Sequence, residues 1–317
     1  MGRLIGAKIV ELVVVLFVVT LVSFLLLSLV PGGNPELRML GDNATPEAVA
    51  ELRADLGLDD PIHIRYLRWL GDVLQGDLGR STTGNQNVTD IISERLPITL
   101  ELAGLSLLIG MLFAVPLGVI SAWRVGGVID RIVTSGSFAV LSLPSFLLAI
   151  VLIIVFAVRL KWLPAAPAWV PFTEDPFQNL KNLILPVSAM AVGEVAVLTR
   201  VLRSDMIEVL QSNYIETARA KGMPTRYILL RHALPASLLS MLTLIGLQIA
   251  GAMTGAVVIE QIFGLPGLGR TLLLAIFSRD LVVVQGLVLV IAGTYVIVNS
   301  LVDLMYQLVD PRIRRRG

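Results

Sequence analysis

The chain has 317 residues, 55% of them apolar and only 15% charged, whereas soluble domains average about 45–50% and about 25%. Its net charge of +1 excludes a simple basic nucleic-acid binder and an acidic disordered chain, and its lack of cysteine excludes a disulfide scaffold, a thiolate metal site and cysteine catalysis. What remains is an integral membrane protein, expected to be an all-α polytopic helix bundle, since lipid offers the backbone no outside partner.

A membrane-crossing helix takes about 20 apolar residues, and six stretches qualify. The first runs from Ile9 to Val30, with Glu11 at its start. It is longer than a signal-peptide core and has no A-x-A site before Pro31, so it reads as a retained helix. The segment from Pro31 to Pro97 is not low-complexity linker. Thr45-Pro46-Glu47 supplies an N-cap, a proline at the first helical position and an acid in the first turn; Val49, Leu52 and Leu56 follow at helical spacing, and Gly57 fits the end. Asp60-Pro61 opens a second amphipathic helix with Ile62, Tyr66, Trp69 and Val73 on one face and Gly76 as its stop. These short helices either cap the bundle or meet an external partner.

The second span, Thr99 to Trp123, holds Glu101 and Pro116; the third, Ile132 to Val158, is uncharged but interrupted by Pro144. The fourth, Leu183 to Thr199, is the shortest and contains Glu194, which either lines a pathway or pairs with a neighbouring helix. The fifth, Ser237 to Ile259, carries Gly251 and Gly255 at the spacing that permits close helix packing. The sixth runs from Leu281 to Val302. Glu101, Glu260 and Asp303 stand near span ends, where they are expected to reach headgroups or water.

Six spans put both termini on one side. Fourteen of the twenty-five basic residues fall there, including Arg3, Lys8, Arg124, Arg131 and the terminal Arg312, Arg314, Arg315 and Arg316. The two short opposite loops hold five: Arg159, Lys161, Lys181, Arg270 and Arg279. The positive-inside rule therefore places both termini in the cytoplasm. The expected organisation is a first span with a structured outer loop (1–98), a five-helix core with a cytoplasmic loop at 200–235 (99–306), and a basic tail (307–317).

That cytoplasmic loop carries the strongest signal. Asn213 with Glu216 resembles a capping box, Ala218 and Ala220 are small enough for close approach, and Gly222 suits a left-handed helix end. Pro224 begins a second short helix, and Leu234-Pro235 leads into the fifth span. Read from the residues, the loop is either a surface connector or a rigid docking element.

Glu216-Thr217-Ala218, then Gly222, then Leu234-Pro235 resembles the EAA signature of ABC-importer permeases, with Thr217 in place of an alanine and Arg231 in place of an isoleucine. The chain as a whole resembles the first permease subunit of the dipeptide/oligopeptide/nickel importer family. The resemblance rests also on Leu56-Gly57-Leu58-Asp59, Arg65-Tyr66, Gly76-Asp77-Leu78-Gly79, Arg95-Leu96-Pro97, Glu260-Gln261-Ile262-Phe263, Pro266-Gly267-Leu268-Gly269, Arg279-Asp280 and Gln285-Gly286. It implies a type I importer permease fold (MetI-like) in a bacterial plasma membrane. It also implies a second homologous permease subunit, two ATPase subunits that use ATP and magnesium, and an extracytoplasmic binding protein delivering peptide. By the same resemblance, Tyr214, Glu216, Thr217, Ala218, Arg219, Ala220, Lys221, Gly222 and Pro224 form the ATPase-coupling element. Nickel complexes or glutathione remain alternative cargoes.

The residues add their own exclusions. The chain has four lysines (Lys8, Lys161, Lys181 and Lys221) and no phosphate-binding loop around any of them, so it is not expected to bind ATP or another cofactor itself. His63 and His232 fall on opposite sides and cannot share a metal. No H-E-x-x-H motif or paired intramembrane aspartates point to a protease. A gradient-driven secondary transporter is the rival class, with Glu194 as its one relay candidate.

Overall fold

The computed structural model describes residues 2–28, 45–55, 57 and 59–309. Pro31, Leu56, Leu58 and the terminal arginines at 312, 314, 315 and 316 lie outside the described residues, as does the rest of 310–317. Among the described residues the chain is helical, with a single isolated antiparallel bridge between Arg80 and Asn87 in place of any strand. Among the described residues five helices are long and apolar enough to cross a membrane singly, and six spans result if the bent pair Val128–Leu141 and Ser145–Arg159 counts as one. The chain divides into two compact units, 1–98 with 266–297, and 99–265 with 298–317.

The first unit contains α1 (Gly2–Ser28), α2 (Pro46–Asp55), α3 (Ile62–Leu74), the start of α4 (Val88–Trp123), α11 (Leu268–Phe277) and most of α12 (Leu281–Val309). The Thr45 hydroxyl accepts from the amide of Ala48 at 3.2 Å, the expected N-cap of α2. In α3 the amphipathic face is met by α1. The Tyr66 ring lies edge-on to Phe24 at 5.4 Å and to Phe17 at 6.3 Å, and its hydroxyl is 3.0 Å from that of Thr20. α3 is thus packed on the first span through this aromatic face. Val88, Ile92, Leu268, Ala275, Val284 and Leu287 form the unit's apolar centre. The approach requires Gly286, where a Cβ would stand 2.5 Å from Val88 Cγ1.

A buried carboxylate pins the segment before α4. Asp280 accepts from the hydroxyls of Ser81 at 2.6 Å and Thr83 at 2.9 Å. Burial alone raises its pKa, but these hydroxyls and the amides of Thr82 and Val283 outweigh burial and hold it below the usual carboxylate value. A lowered folded-state pKa means that the clamp's contribution is fully present above the ordinary carboxylate range. It is lost as the pH falls through the folded value. Asp280→Asn is expected to cost about 1–3 kcal/mol of local stability at neutral pH and to raise hydrogen exchange and protease cutting at 77–87. Unchanged exchange there would contradict the clamp.

The second unit is built around α7 (Pro176–Leu210). The sequence reads as a short fourth span, but the helix is 35 residues long and its apolar window is 61% buried, against 17% for α1. A helix surrounded by protein does not need the uniform hydropathy that lipid demands, which is why its signal is weak. Asp175 caps α7 by accepting from the amide of Gln178 at 2.9 Å.

The other spans differ from expectation at their boundaries. The second begins at Val88 rather than Thr99 and passes through Pro97 and Pro116 as one helix. The third is not one helix. It breaks between α5 (Val128–Leu141) and α6 (Ser145–Leu152), with a 101° bend; Pro144, in extended backbone at ψ 140°, is the residue preceding the first turn of α6. A π-helical turn, Ile153–Arg159, extends α6. α10 (Leu234–Phe263) forms the fifth span.

Two expectations about polar and small residues are corrected. Glu260 does not reach water or headgroups; it is 0% exposed and accepts from the Thr99 hydroxyl at 2.6 Å. Glu101 is half-buried, and Asp303 falls in α12 at a position whose side chain is outside the described residues. Gly251 and Gly255 make no close packing among the described residues, because a Cβ at either would meet nothing there within 4 Å.

Candidate functional site

The loop after α7 folds as a compact lever. α8 (Asn213–Ala220) follows within two residues, then α9 (Thr225–Tyr227), then a π-helical segment (Ile228–Ala233) that runs directly into α10. The expected capping box is not made. Ser212, not Asn213, is the residue preceding the first helical turn, and its hydroxyl turns back to the carbonyl of Val209 at 2.5 Å. The Thr217 hydroxyl donates to the Asn213 carbonyl at 3.0 Å.

The far end of α8 is the better-defined one. Gly222 sits at φ +73°, its amide donating to Arg219 O at 2.9 Å, while the amide of Met223 donates to Ala218 O at 3.3 Å. These two bonds are a Schellman closure, and it includes the usual apolar contact, because Met223 packs on the Ala218 cluster. A side-chain-bearing residue at Gly222 would hold that left-handed conformation at a cost.

Burial sorts the predicted residues into two faces. Ile215 and Ala218 are buried and join Ile228, Leu210 and Met223 in a small apolar cluster that seats α8 on the loop's second helix. Ala218 therefore supports the lever from within rather than meeting another surface. Tyr214 is 48% exposed. Glu216, Thr217, Arg219, Ala220, Lys221, Gly222 and Pro224 are exposed too. A cleft of about 430 Å³ lies beneath α8, bounded by Trp123, Val125, Ile207, Gln211, Arg219 and Thr225.

Glu194 is not part of this site. It pairs with a neighbouring helix, accepting a hydrogen bond from Nε2 of Gln248 on α10. Gly110 on α4 makes room for it, since a Cβ there would stand 2.7 Å from the Cβ of Glu194. A separate, mostly apolar cleft of about 410 Å³ between α4, α5 and α7 has Phe113, Leu117, Gly136, Val140, Ala191 and Val195 in its walls; Glu194 is not among the lining residues. Among the described residues no group of three or more histidines and carboxylates is placed to hold a metal ion.

Sequence reasoning missed one constellation. Asp130, at the start of α5, is 4% exposed and receives Arg203 of α7 in a forked pair, Nε to Oδ1 at 2.5 Å and Nη2 to Oδ2 at 2.8 Å. The Ser121 hydroxyl and the Gly126 amide donate to the same carboxylate. The partners are 73 residues apart, so no local spacing signals the pair.

The described residues thus form a polytopic helical bundle with a short helix, closed by the Gly222 turn, between two of its spans. Residues 114–315 match the family described as binding-protein-dependent transport system inner membrane component, and residues 1–103 match its N-terminal companion. The chain belongs to that family and is a multi-pass membrane protein. A putative peptide transport system permease protein of Brucella abortus is 42% identical over 314 residues, covering 99% of both chains. The oligopeptide transport system permease protein AppB of Bacillus subtilis is 37% identical over 301 residues, 94% of this chain and 95% of that one. Among solved structures, a chain of the inward-facing MetNI methionine ABC transporter matches with a TM-score of 0.55 at 16% identity, over 69% of this chain and 96% of that chain. At that identity the likeness concerns the fold alone.

Proposed function

We propose that this chain is the permease subunit of an ATP-driven peptide importer and that α8, from Tyr214 to Pro224, is where an ATPase docks. The observation that carries the docking reading is the sorting of α8 into a face that seats it and a capped, exposed face available to a partner. The peptide reading draws on the names of the relatives from Brucella and Bacillus. ATP hydrolysis belongs to separate ATPase subunits. A second homologous permease subunit completes the pathway, and an extracytoplasmic binding protein supplies the peptide. Both termini and α8 lie in the cytoplasm, by the distribution of basic residues. ATP-driven closure of the ATPase pair displaces the lever and shifts the bundle between two states, with differential ATP affinity as the energy source.

The test is uptake into vesicles holding the reconstituted complex. Peptide accumulation is expected to require ATP, the binding protein and both permease subunits, and the purified single chain is expected to hydrolyse no ATP. Uptake that survives ATP depletion and follows a proton or sodium gradient would instead establish the secondary-transporter class.

A further inference from the structure

The lever is useful only if its motion reaches the spans, and α8 is held to the rest of its unit by few side chains. Its seat is the small cluster of Ile215, Ala218 and Ile228 with Leu210 and Met223, and the cleft beneath it is open. What continues rigidly from α8 is α7. Two residues, Gln211 and Ser212, separate the helices, and both are tied back to the end of α7: the amide of Gln211 donates to the Glu208 carbonyl at 3.2 Å, and the amide and hydroxyl of Ser212 donate to the Val209 carbonyl at 3.1 and 2.5 Å. A push on α8 therefore arrives first at the end of α7.

There α7 is fastened sideways at three places in succession. Leu202 packs so closely on α4 that a Cβ at Gly118 would be 3.0 Å from its Cδ2. The Arg200 guanidinium lies over the Phe138 ring of α5, 4.4 Å from its centroid. Arg203 grips Asp130 through the forked pair, and Ser121 and Gly126, at the α4–α5 turn, complete the carboxylate's shell. The pair is shielded, with Asp130 and Arg203 side chains 5% and 25% exposed. A planar fork on a buried, fully hydrogen-bonded carboxylate fixes orientation as well as distance, unlike a mobile surface ion pair. The helix it holds, α5, leads to the 101° bend that separates it from α6.

We propose that the Asp130–Arg203 pair is the positioning tie that makes α7 and α5 move as one piece, so that displacement of α8 is delivered to the broken span. The proposal rests on the docking reading above and goes beyond it, because it assigns a transmission role to residues that touch neither ATPase nor peptide. Without the tie, α7 slides past α5 and the energy of hydrolysis no longer turns the bundle. Asp130→Asn removes the charge, and Arg203→Lys keeps the charge but loses the fork.

The experiment uses the whole complex in vesicles and reads peptide taken up per ATP hydrolysed, with ATPase co-purification measured separately. The expected result is an assembled complex that still hydrolyses ATP but whose uptake per ATP falls about 5-fold or more, the lower end of site-to-site coupling. Uptake and hydrolysis falling in proportion to the amount of complex, with an unchanged ratio, would overturn the tie. Should Asp130→Asn fail to assemble, Arg203→Lys is read by the same ratio; loss of assembly in both variants makes the pair a folding element and overturns the proposal as well. Failure of the docking reading is visible independently, as ATPase co-purification that survives substitution on the exposed face of α8.

Discussion

Replacing Gly222 with aspartate is expected to leave the chain in the membrane while uncoupling it from its ATPase. The position holds φ +73°, and a Cβ there would meet nothing within 4 Å. The folding cost is therefore the backbone conformation alone, about 1–2 kcal/mol for most residues and less for aspartate, which tolerates the left-handed region. The docking cost is larger. The new carboxylate would stand on the exposed face, in open space within this chain, and a charge buried without a partner in an interface costs about 2–5 kcal/mol. Binding then weakens by about 30-fold or more. Co-purified ATPase and ATP-dependent uptake should both collapse while the amount of membrane-inserted chain is unchanged. Gly222→Ala carries the backbone cost without the charge, so it should lose much less. Wild-type uptake in the aspartate variant would show that the ATPase sits elsewhere.

Removing the Glu260 side chain is expected to be among the most destabilising substitutions in the second unit. It is wholly buried with Ile259, Phe263 and Leu265, and it accepts from Thr99 across from α4 to α10. Its own carbonyl receives the amide of Leu265 at 2.9 Å in the turn that closes α10 at Gly264, φ +72°. Glu260→Ala removes an acceptor and leaves a void, at about 2–5 kcal/mol. Glu260→Gln preserves both volume and a carbonyl acceptor, and its loss should be the smaller. Thermal unfolding in detergent ranks the three proteins. An alanine variant within about 0.5 kcal/mol of wild type, as for an exposed side chain, would contradict the burial.

Much of this was legible in the residues. Local interactions explain why Thr45, Gly57, Gly76 and Gly222 were readable: a cap or a left-handed turn is decided within a few positions. Asn213 misled for the same reason, since two adjacent polar residues, Ser212 and Asn213, compete for the cap and the register is chosen by how α7 ends. Lipid contact made five spans conspicuous. It also obscured α7, whose neighbours are protein, and merged α5 and α6, whose combined hydropathy is continuous across a sharp bend.

By itself the sequence determined the class of molecule, the place of the short helix after α7 and the residue on which its turn closes, because hydropathy and turn chemistry are properties of short windows. Tertiary structure alone decided that 266–297 join the first unit, that Glu260 and Asp130 are buried and satisfied, that Gly251 and Gly255 face open space, and that Ala218 turns inward. Each of those depends on a partner brought from far along the chain. Thr99 and Glu260 are 161 residues apart, and Asp280 and Ser81 are 199. A carboxylate near a span end looks the same in sequence whether water or a hydroxyl from another helix waits beside it, and only packing tells them apart.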